Sequence, residues 1–197
     1  MNRPTPRQWE EFKKDSKKMQ VIKMMTACKD QMVYVSLTND ENNKINNFSN
    51  NKIAIKVKEP GHRHDHNQEH KRSATGQSGE LAIEKKFGIK VADWTVGNSR
   101  FYNHADLKLV GYNLGVKTST LGNTPLVPRQ PKHAEIICVK YDDNTVIICG
   151  IATKEVIEKY WSDDFVRDKN ALHKTGFVGF DHLLPCRTLE DLEPFKI

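Results

Sequence analysis

The chain has 197 residues, of which 37% are hydrophobic and 28% are charged, so a folded core must be concentrated in part of the sequence. Lys and Arg outnumber Asp and Glu by 31 to 25. This excess favours an anionic partner such as nucleic acid, although many proteins without such a partner are mildly basic. No apolar run approaches the roughly 20 residues that span a bilayer, and residues 1–18 lack a signal-peptide segment. These features predict no membrane partner and a cytoplasmic location, including the cytoplasm of an infected host cell.

The first 60 residues are predicted to form an extension of mixed helix and strand. Apolar residues at helical spacing predict a helix over 7–29, and β-branched residues predict a strand over 31–37. The asparagine-rich residues 39–51 predict a loop or the tip of a long hairpin. Isoleucine and valine alternating with lysine predict a half-buried strand over 52–58.

Residues 61–197 are predicted to form an α/β core with a C-terminal tail, in one compact domain with the extension. A polar segment precedes a predicted helix over 77–87, which ends at Gly88. Strands are then predicted over 91–96, 106–110, 114–120, 134–141 and 145–152. Thr153 predicts the cap of a helix to about 161, and a short strand is expected near 177–180. This order indicates a mixed central β-sheet flanked by helices.

An acidic residue and a lysine come close together in the predicted hairpin over 106–120. Asp106 opens its first strand, and Lys117 lies among apolar residues in its second strand. A hairpin makes the two ends of such a segment cross-strand neighbours. An ammonium in a half-buried strand is costly unless it faces a carboxylate, water or a phosphate. Alternatively, Asp106 caps a strand and Lys117 is exposed at a sheet edge.

Phosphodiester hydrolysis needs a hard divalent cation on oxygen ligands, an activated water and neutralisation of developing charge. Asp106 offers a metal carboxylate, and the main-chain carbonyl of Val116 offers a second oxygen. Glu80, on the preceding helix, offers a third ligand directly or through water. Lys117 is suited to orient or deprotonate the water and to stabilise negative charge.

The segments GELA (residues 79–82), DL (106–107) and VKTS (116–119) together resemble the PD-(D/E)xK nuclease superfamily, which includes many restriction and phage nucleases. The similarity covers roughly residues 73 to 152. It implies a restriction endonuclease-like core, DNA as substrate and Mg²⁺ as cofactor, with Mn²⁺ as a substitute. Thr118 and Ser119 follow the lysine as in many such sites and are expected to contact a phosphate.

One position departs from the family pattern, because Gly115 stands where an acidic residue is expected two positions before Lys117. The departure is compatible with one metal instead of two, with a carboxylate that has migrated to Glu84 or Glu135, or with an inactive protein. A further hypothesis is that the acidic residue was lost from this copy alone, since active nucleases are toxic to a cloning host. No gain of cleavage on Gly115→Glu, assayed with DNA and Mg²⁺ or Mn²⁺, would count against both the lost-ligand and the inactivated-copy hypotheses.

The segment over 61–72 packs four histidines, one Asp, one Glu and three basic residues into twelve positions. His62, His64 and His66 would share one face of an extended strand, but structural zinc sites usually also use cysteine and none is close, so zinc is not expected. The role of the segment up to His70 stays open between a solvated loop and a mobile basic loop that contacts DNA. The candidate DNA contacts there are Arg63, Lys71 and Arg72.

The sequence therefore predicts a Mg²⁺-dependent DNA endonuclease with Glu80, Asp106 and Lys117 as catalytic residues. Two alternatives stay open: a catalytically impaired DNA-binding protein on the same fold, and an adaptor that binds a metal or a partner through the histidine segment. A homodimer is a further expectation, because cleavage of both strands usually requires two active sites.

Overall fold

The structure is a computed structural model, and it describes residues 15–56, 66–96, 104–165 and 175–197. The helices are α1 (Ser16–Ala27), α2 (Asn39–Lys56), α3 (His66–Phe87) and α4 (Lys154–Tyr160). The strands are β1 (Val33–Ser36), β2 (Leu114–Thr120), β3 (Val127–Pro128), β4 (Ala134–Lys140), β5 (Thr145–Ala152) and β6 (Thr175–Gly176). Short 3₁₀ helices cover Lys29–Gln31, Lys108–Val110, Phe180–His182 and Leu189–Phe195.

Four strands form the central sheet in the order β1-β5-β4-β2. β2 runs parallel to β4, whereas β1 and β4 are both antiparallel to β5. The sheet is therefore mixed, and helices pack on it, so the predicted α/β class is confirmed. β3 and β6 form a separate two-stranded ribbon.

Helices cover both faces of the sheet, so the central strands β4 and β5 are buried on both sides. Ile136 and Cys138 of β4 belong to a core shared with α2 and α3. Ile137 and Val139 point the other way, into a core shared with α1, α4 and the segment around Phe180. Because successive side chains of a strand face opposite sides, a nearly continuous apolar run is required here.

Most elements of the core agree with the sequence predictions. Strands β1, β2, β4 and β5 lie where strands are predicted, and the helix predicted over 7–29 is present as α1 in its described part. Gly88 follows α3 with φ 69°, as predicted for a helix end. The hydroxyl of Thr153 accepts a hydrogen bond from the amide of Val156 at 3.2 Å and caps α4. All four cysteines are free thiols.

The prediction for residues 39–58 is wrong over its described part, because residues 39–56 form one helix, α2, instead of a loop and a strand. A capping box starts this helix: Thr38 N donates to Glu41 Oε2 at 2.7 Å, and Glu41 N donates to Thr38 Oγ1 at 3.2 Å. Lys85 of α3 donates to the same Glu41 oxygen at 2.8 Å. Burial of Ile45 then fixes the helix against the core.

Several other elements differ from the predictions. No strand forms over 91–96, where the amides of Val91 and Ala92 donate to Glu84 Oε2 at 3.2 and 3.1 Å. The described part of the polar segment, residues 66–75, is helical, because α3 begins at His66. No strand forms over 106–110, where Lys108–Val110 form a 3₁₀ turn instead. The short strand expected near 177–180 lies slightly earlier, as β6 (Thr175–Gly176) with a bridge from Phe177 to Ser162, and a 3₁₀ helix begins at Phe180. None of the described helices is long and apolar enough to cross a bilayer.

Candidate functional site

Helix α3 lies unusually close to strand β2, and this contact positions Glu80. A Cβ atom at Gly79 would collide with the hydroxyl of Thr118, so only glycine allows this approach. Glu80 follows directly and is half-buried. Burial is the largest cause that raises the pKa of Glu80, to about 8, and the charge of Asp106 is the second. A hydrogen bond with the main chain of Asp93 and the positive charge of Lys52 both act in the opposite direction. The carboxylate of Asp106 therefore lies within electrostatic range of Glu80.

Asp106 reaches β2 from a compact loop and not from the predicted hairpin strand. Its Oδ2 atom accepts a hydrogen bond of 2.6 Å from the amide of Val116. The next residue, Leu107, donates its amide to the carbonyl of Leu114 at 2.9 Å. These bonds occupy the outer edge of β2, the last strand in the described sheet, and Gly111, with φ 90°, completes the turn. Asp106 therefore lies beside Val116, as the predicted hairpin would also place it, but a turn and not a strand brings it there.

The ammonium of Lys117 faces a buried carboxylate from the neighbouring strand. Lys117 Nζ lies 3.5 Å from Glu135 Oε1, and the side chains are 37% and 3% exposed respectively. Burial and the charge of Asp106 raise the pKa of Glu135 to about 7, whereas Lys117 lowers it. His133 Nδ1 lies 3.7 Å from the same Glu135 oxygen. Burial also lowers the pKa of His133, so its ring is a weak charge partner near neutral pH.

Charged side chains from helix α3, from the loop at Asp106 and from the sheet interact electrostatically with one another. Asp106 raises the pKa of both Glu80 and Glu135, so its carboxylate lies within electrostatic range of each. Asp106 itself is exposed, whereas Glu135 is buried. Lys117 is the cation paired with Glu135. The cluster thus has three carboxylates and one ammonium on adjoining elements, and we call these four residues the acidic cluster.

The chemistry of the acidic cluster suits a hard divalent cation, but no ligand shell is assembled. Within the described ranges, no three His, Cys, Asp or Glu side chains are grouped so that they would hold a metal ion. One other observation favours a cation: Glu135 Oε2 is buried without a hydrogen-bond partner among the described residues. Carboxylate and main-chain oxygens are the ligands that Mg²⁺ prefers. The donor types of the cluster therefore suit this cofactor, but the carboxylates are not grouped into a metal site in the part of the chain that the structure describes.

The two hydroxyl residues after Lys117 have different environments. The Thr118 hydroxyl is buried where α3 crosses β2, and no described residue forms a hydrogen bond with it. The Ser119 hydroxyl donates to the carbonyl of Asn123 at 2.9 Å. The expected phosphate contact is therefore not supported for Thr118, because its oxygen lies beneath the helix.

The basic segment is only partly described. Lys71 and Arg72 are exposed on α3, the helix that carries Glu80, so they stand on a rigid element and not on the mobile loop that the sequence suggests. His70 is half-buried on the same helix. The alternating strand face predicted for the histidines is not formed at His66, because this residue begins α3. The remaining candidates lie outside the described residues: His62, Arg63 and His64.

Glu84 and Glu135, the two candidates for a migrated carboxylate, have different environments. Glu84 accepts two main-chain hydrogen bonds from the segment after α3 and so has a structural role. Glu135 lies in the acidic cluster. A charged residue inside the apolar run AEIICVK is the sequence signal for it. Comparison with protein-family models, with curated proteins and with solved structures finds no match for this chain.

Proposed function

We propose that the chain is a divalent-metal-dependent DNA endonuclease that hydrolyses phosphodiester bonds at the acidic cluster. The observation that carries the proposal is the position of Lys117. Its half-buried ammonium lies 3.5 Å from Glu135, and the amide of the residue before it, Val116, holds Asp106. Asp106 and the Lys117 strand are thus held together, and the charge of Asp106 also acts on Glu80 of helix α3. These are the residue types that the nuclease resemblance implies.

In this proposal Glu80, Asp106 and the main-chain carbonyl of Val116 hold Mg²⁺, or Mn²⁺ in its place. When bound, the cation supplies a Lewis acid for the scissile phosphate. The hydrogen bond from Val116 fixes one oxygen of Asp106 and leaves the other available to a ligand. Burial disfavours the charged form of Glu80, as its raised pKa shows, and a nearby cation would stabilise that form.

Lys117 acts on the water and on the phosphate. Its side chain is 37% exposed, so the ammonium reaches solvent while its stem stays among the strand residues. There it donates hydrogen bonds to the attacking water and stabilises the charge that develops on the phosphate oxygens. The ion pair with Glu135 holds the ammonium in position.

The overall positive charge supports DNA as the substrate. The net charge of +6 favours phosphate binding. Lys71 and Arg72 are exposed on the helix that carries Glu80, so DNA contacts by these residues would be rigidly related to the acidic cluster. Cleavage of both strands would further require a second copy of the chain, and a homodimer is part of the proposal.

A catalytically impaired DNA-binding protein is the second candidate. It is favoured by Gly115 at the acidic motif position, and by the lack of an assembled metal-ligand group among the residues that the structure describes. The fold, the positive charge and the exposed basic residues of α3 serve this function equally well.

Incubation of supercoiled plasmid with the full chain distinguishes the two candidates. We expect nicking or linearisation in Mg²⁺ or Mn²⁺ and none in EDTA. A gel shift of a DNA duplex in Ca²⁺ measures binding without cleavage, and its salt dependence reports phosphate contacts. Binding without cleavage in any divalent cation would favour the impaired protein. Absence of both binding and cleavage would exclude both candidates.

A further inference from the structure

The space beside Gly115 is occupied by the carboxylate of Glu135. The two residues are paired in register between the parallel strands β2 and β4. A Cβ atom at position 115 would collide with Glu135 Oε2 and would lie only 3.0 Å from Glu135 Cδ. The carboxylate thus stands where the side chain of an acidic residue at 115 would have to begin.

The carboxylate also has the correct relation to Lys117. Residues 115 and 117 lie on the same face of β2, because side chains alternate along a strand. The nuclease motif uses this relation to place its acidic side chain next to its lysine. In this chain the neighbour of Lys117 Nζ is Glu135 Oε1, at 3.5 Å. Glu135, on strand β4, is therefore the acidic neighbour of Lys117 that strand β2 does not provide.

One oxygen of this carboxylate has no hydrogen-bond partner within residues 15–56, 66–96, 104–165 and 175–197. Oε1 faces Lys117 and His133, whereas Oε2 is buried without a hydrogen bond from any of these described residues. A buried polar oxygen without a hydrogen-bond partner is costly, and the ion pair of Oε1 with Lys117 leaves this cost in place. A cation at Oε2 would remove it. This orphan oxygen is the independent sign that the position serves a ligand.

We infer that Glu135 is the acidic cation ligand that replaces the one missing at Gly115, moved by one strand across the sheet. The inference deepens the proposed function and relies on the same site. It changes the expected result of Gly115→Glu, because a second carboxylate would be forced into the space that Glu135 already fills. Restoring an acidic residue at 115 requires removing Glu135 at the same time.

Direct titration with Mn²⁺ by isothermal calorimetry tests the inference without relying on cleavage. We expect Glu135→Gln to weaken Mn²⁺ binding by at least about tenfold.

Gly115→Glu alone should lower the melting temperature, since His133 Cε1 is also 2.6 Å from the new Cβ. The double variant Gly115→Glu/Glu135→Ala should recover much of the affinity, because φ at 115 is not positive and the carboxylate returns on the other strand. Glu158→Gln, at an exposed site on α4, is the matched control and should bind as the unaltered chain does.

The possible outcomes separate this inference from the proposed function. Unchanged affinity of Glu135→Gln, together with loss of binding by Asp106→Asn, overturns the role of Glu135 and leaves the nuclease proposal standing. Loss of binding by Glu135→Gln in a chain that cuts no DNA supports the ligand and overturns the nuclease. If the folded, unaltered chain binds no Mn²⁺, both are overturned. If Glu135→Gln does not fold, the double variant decides: folded protein without Mn²⁺ affinity overturns the inference, and recovered affinity supports it.

Discussion

The carboxylate of Glu135 fills the space in front of Gly115, its register partner on the neighbouring strand. Under the proposed function, this relationship would account for a glycine at the position where the nuclease pattern expects an acidic residue. It also links Lys117 to a buried negative charge, which keeps the ammonium beside the strand edge where Asp106 is held.

The first prediction concerns the lysine of the acidic cluster. We expect Lys117→Ala to lower the rate of plasmid cleavage by about 10²–10⁴-fold, the range typical of a lost acid–base or charge-stabilising group. Binding to DNA in Ca²⁺ should change little. Lys140→Ala removes a lysine of β4 whose ammonium lies 3.7 Å from Asp143, so it serves as the control. Full cleavage activity in Lys117→Ala would rule out the role assigned to this residue.

The second prediction concerns pH and Glu80 when divalent cations are removed by EDTA. The pKa of Glu80 is raised to about 8 in the folded protein, from an ordinary value of 4.5. Between these two values the folded state holds a proton that the unfolded state has released. The free energy of unfolding should therefore fall as the pH rises through this window.

Urea unfolding at pH 5, 6, 7 and 8 in EDTA measures this decline, and Glu80→Gln should make it shallower because the amide does not titrate. Saturating Mn²⁺ should raise stability most at the alkaline end, where the carboxylate is free to bind it. An identical pH dependence in the unaltered chain and in Glu80→Gln would show that Glu80 is not the group responsible.

The third prediction concerns the close contact between α3 and β2. Gly79→Ala places a Cβ atom against the Thr118 hydroxyl, and we expect it to destabilise the fold by about 1–3 kcal/mol through overpacking. Adding Thr118→Ala removes the colliding oxygen, which is buried without a partner, and should restore most of the lost stability. Chemical denaturation of the four proteins in this double-mutant cycle gives the coupling. Additive effects would mean that the two residues do not touch.

The fourth prediction concerns the start of α2. Thr38→Ala removes the side-chain acceptor for the Glu41 amide and should cost about 1 kcal/mol of stability. Asn46→Ala replaces an exposed residue inside the same helix and should be neutral or stabilising, since alanine has the higher helix propensity. The urea concentrations at the unfolding midpoints of Thr38→Ala and Asn46→Ala measure both stability changes. A destabilising Asn46→Ala would argue that this segment is the loop that its composition suggests.

Helix α2 shows why part of the fold escapes a prediction from composition. Asparagine is a weak helix former, and its abundance over 39–51 indicates a loop. A local signal was nevertheless present, since Thr38 and Glu41 have the spacing of a capping box. In residues 52–56, the described part of the next segment, alternating isoleucine and lysine favours a strand, but these residues continue the helix that begins at Asn39. That helix is held at its start by Lys85 and in its middle by the burial of Ile45. Tertiary packing overrides such weak preferences.

The loop at Asp106 shows the same limit at the candidate site. The sequence brings Asp106 close to Val116 because only nine residues separate them, and any tight reversal joins the two. A hairpin and a 3₁₀ turn satisfy this condition equally, so the sequence could not choose between them. The hydrogen bonds from Leu107 and Tyr112 that close the turn depend on the folded backbone.

The sequence by itself determined the apolar strands β4 and β5, the cap at Thr153 and the short spacing that brings Asp106 to Val116, because these depend on local alternation, local hydrogen bonds and chain length. Only the tertiary structure decided which carboxylate faces Lys117. Glu135 is eighteen residues further along the chain, and it reaches that position through the parallel pairing of β2 with β4. The register between two strands that are distant in sequence is set by packing on both faces of the sheet, and no local pattern contains it.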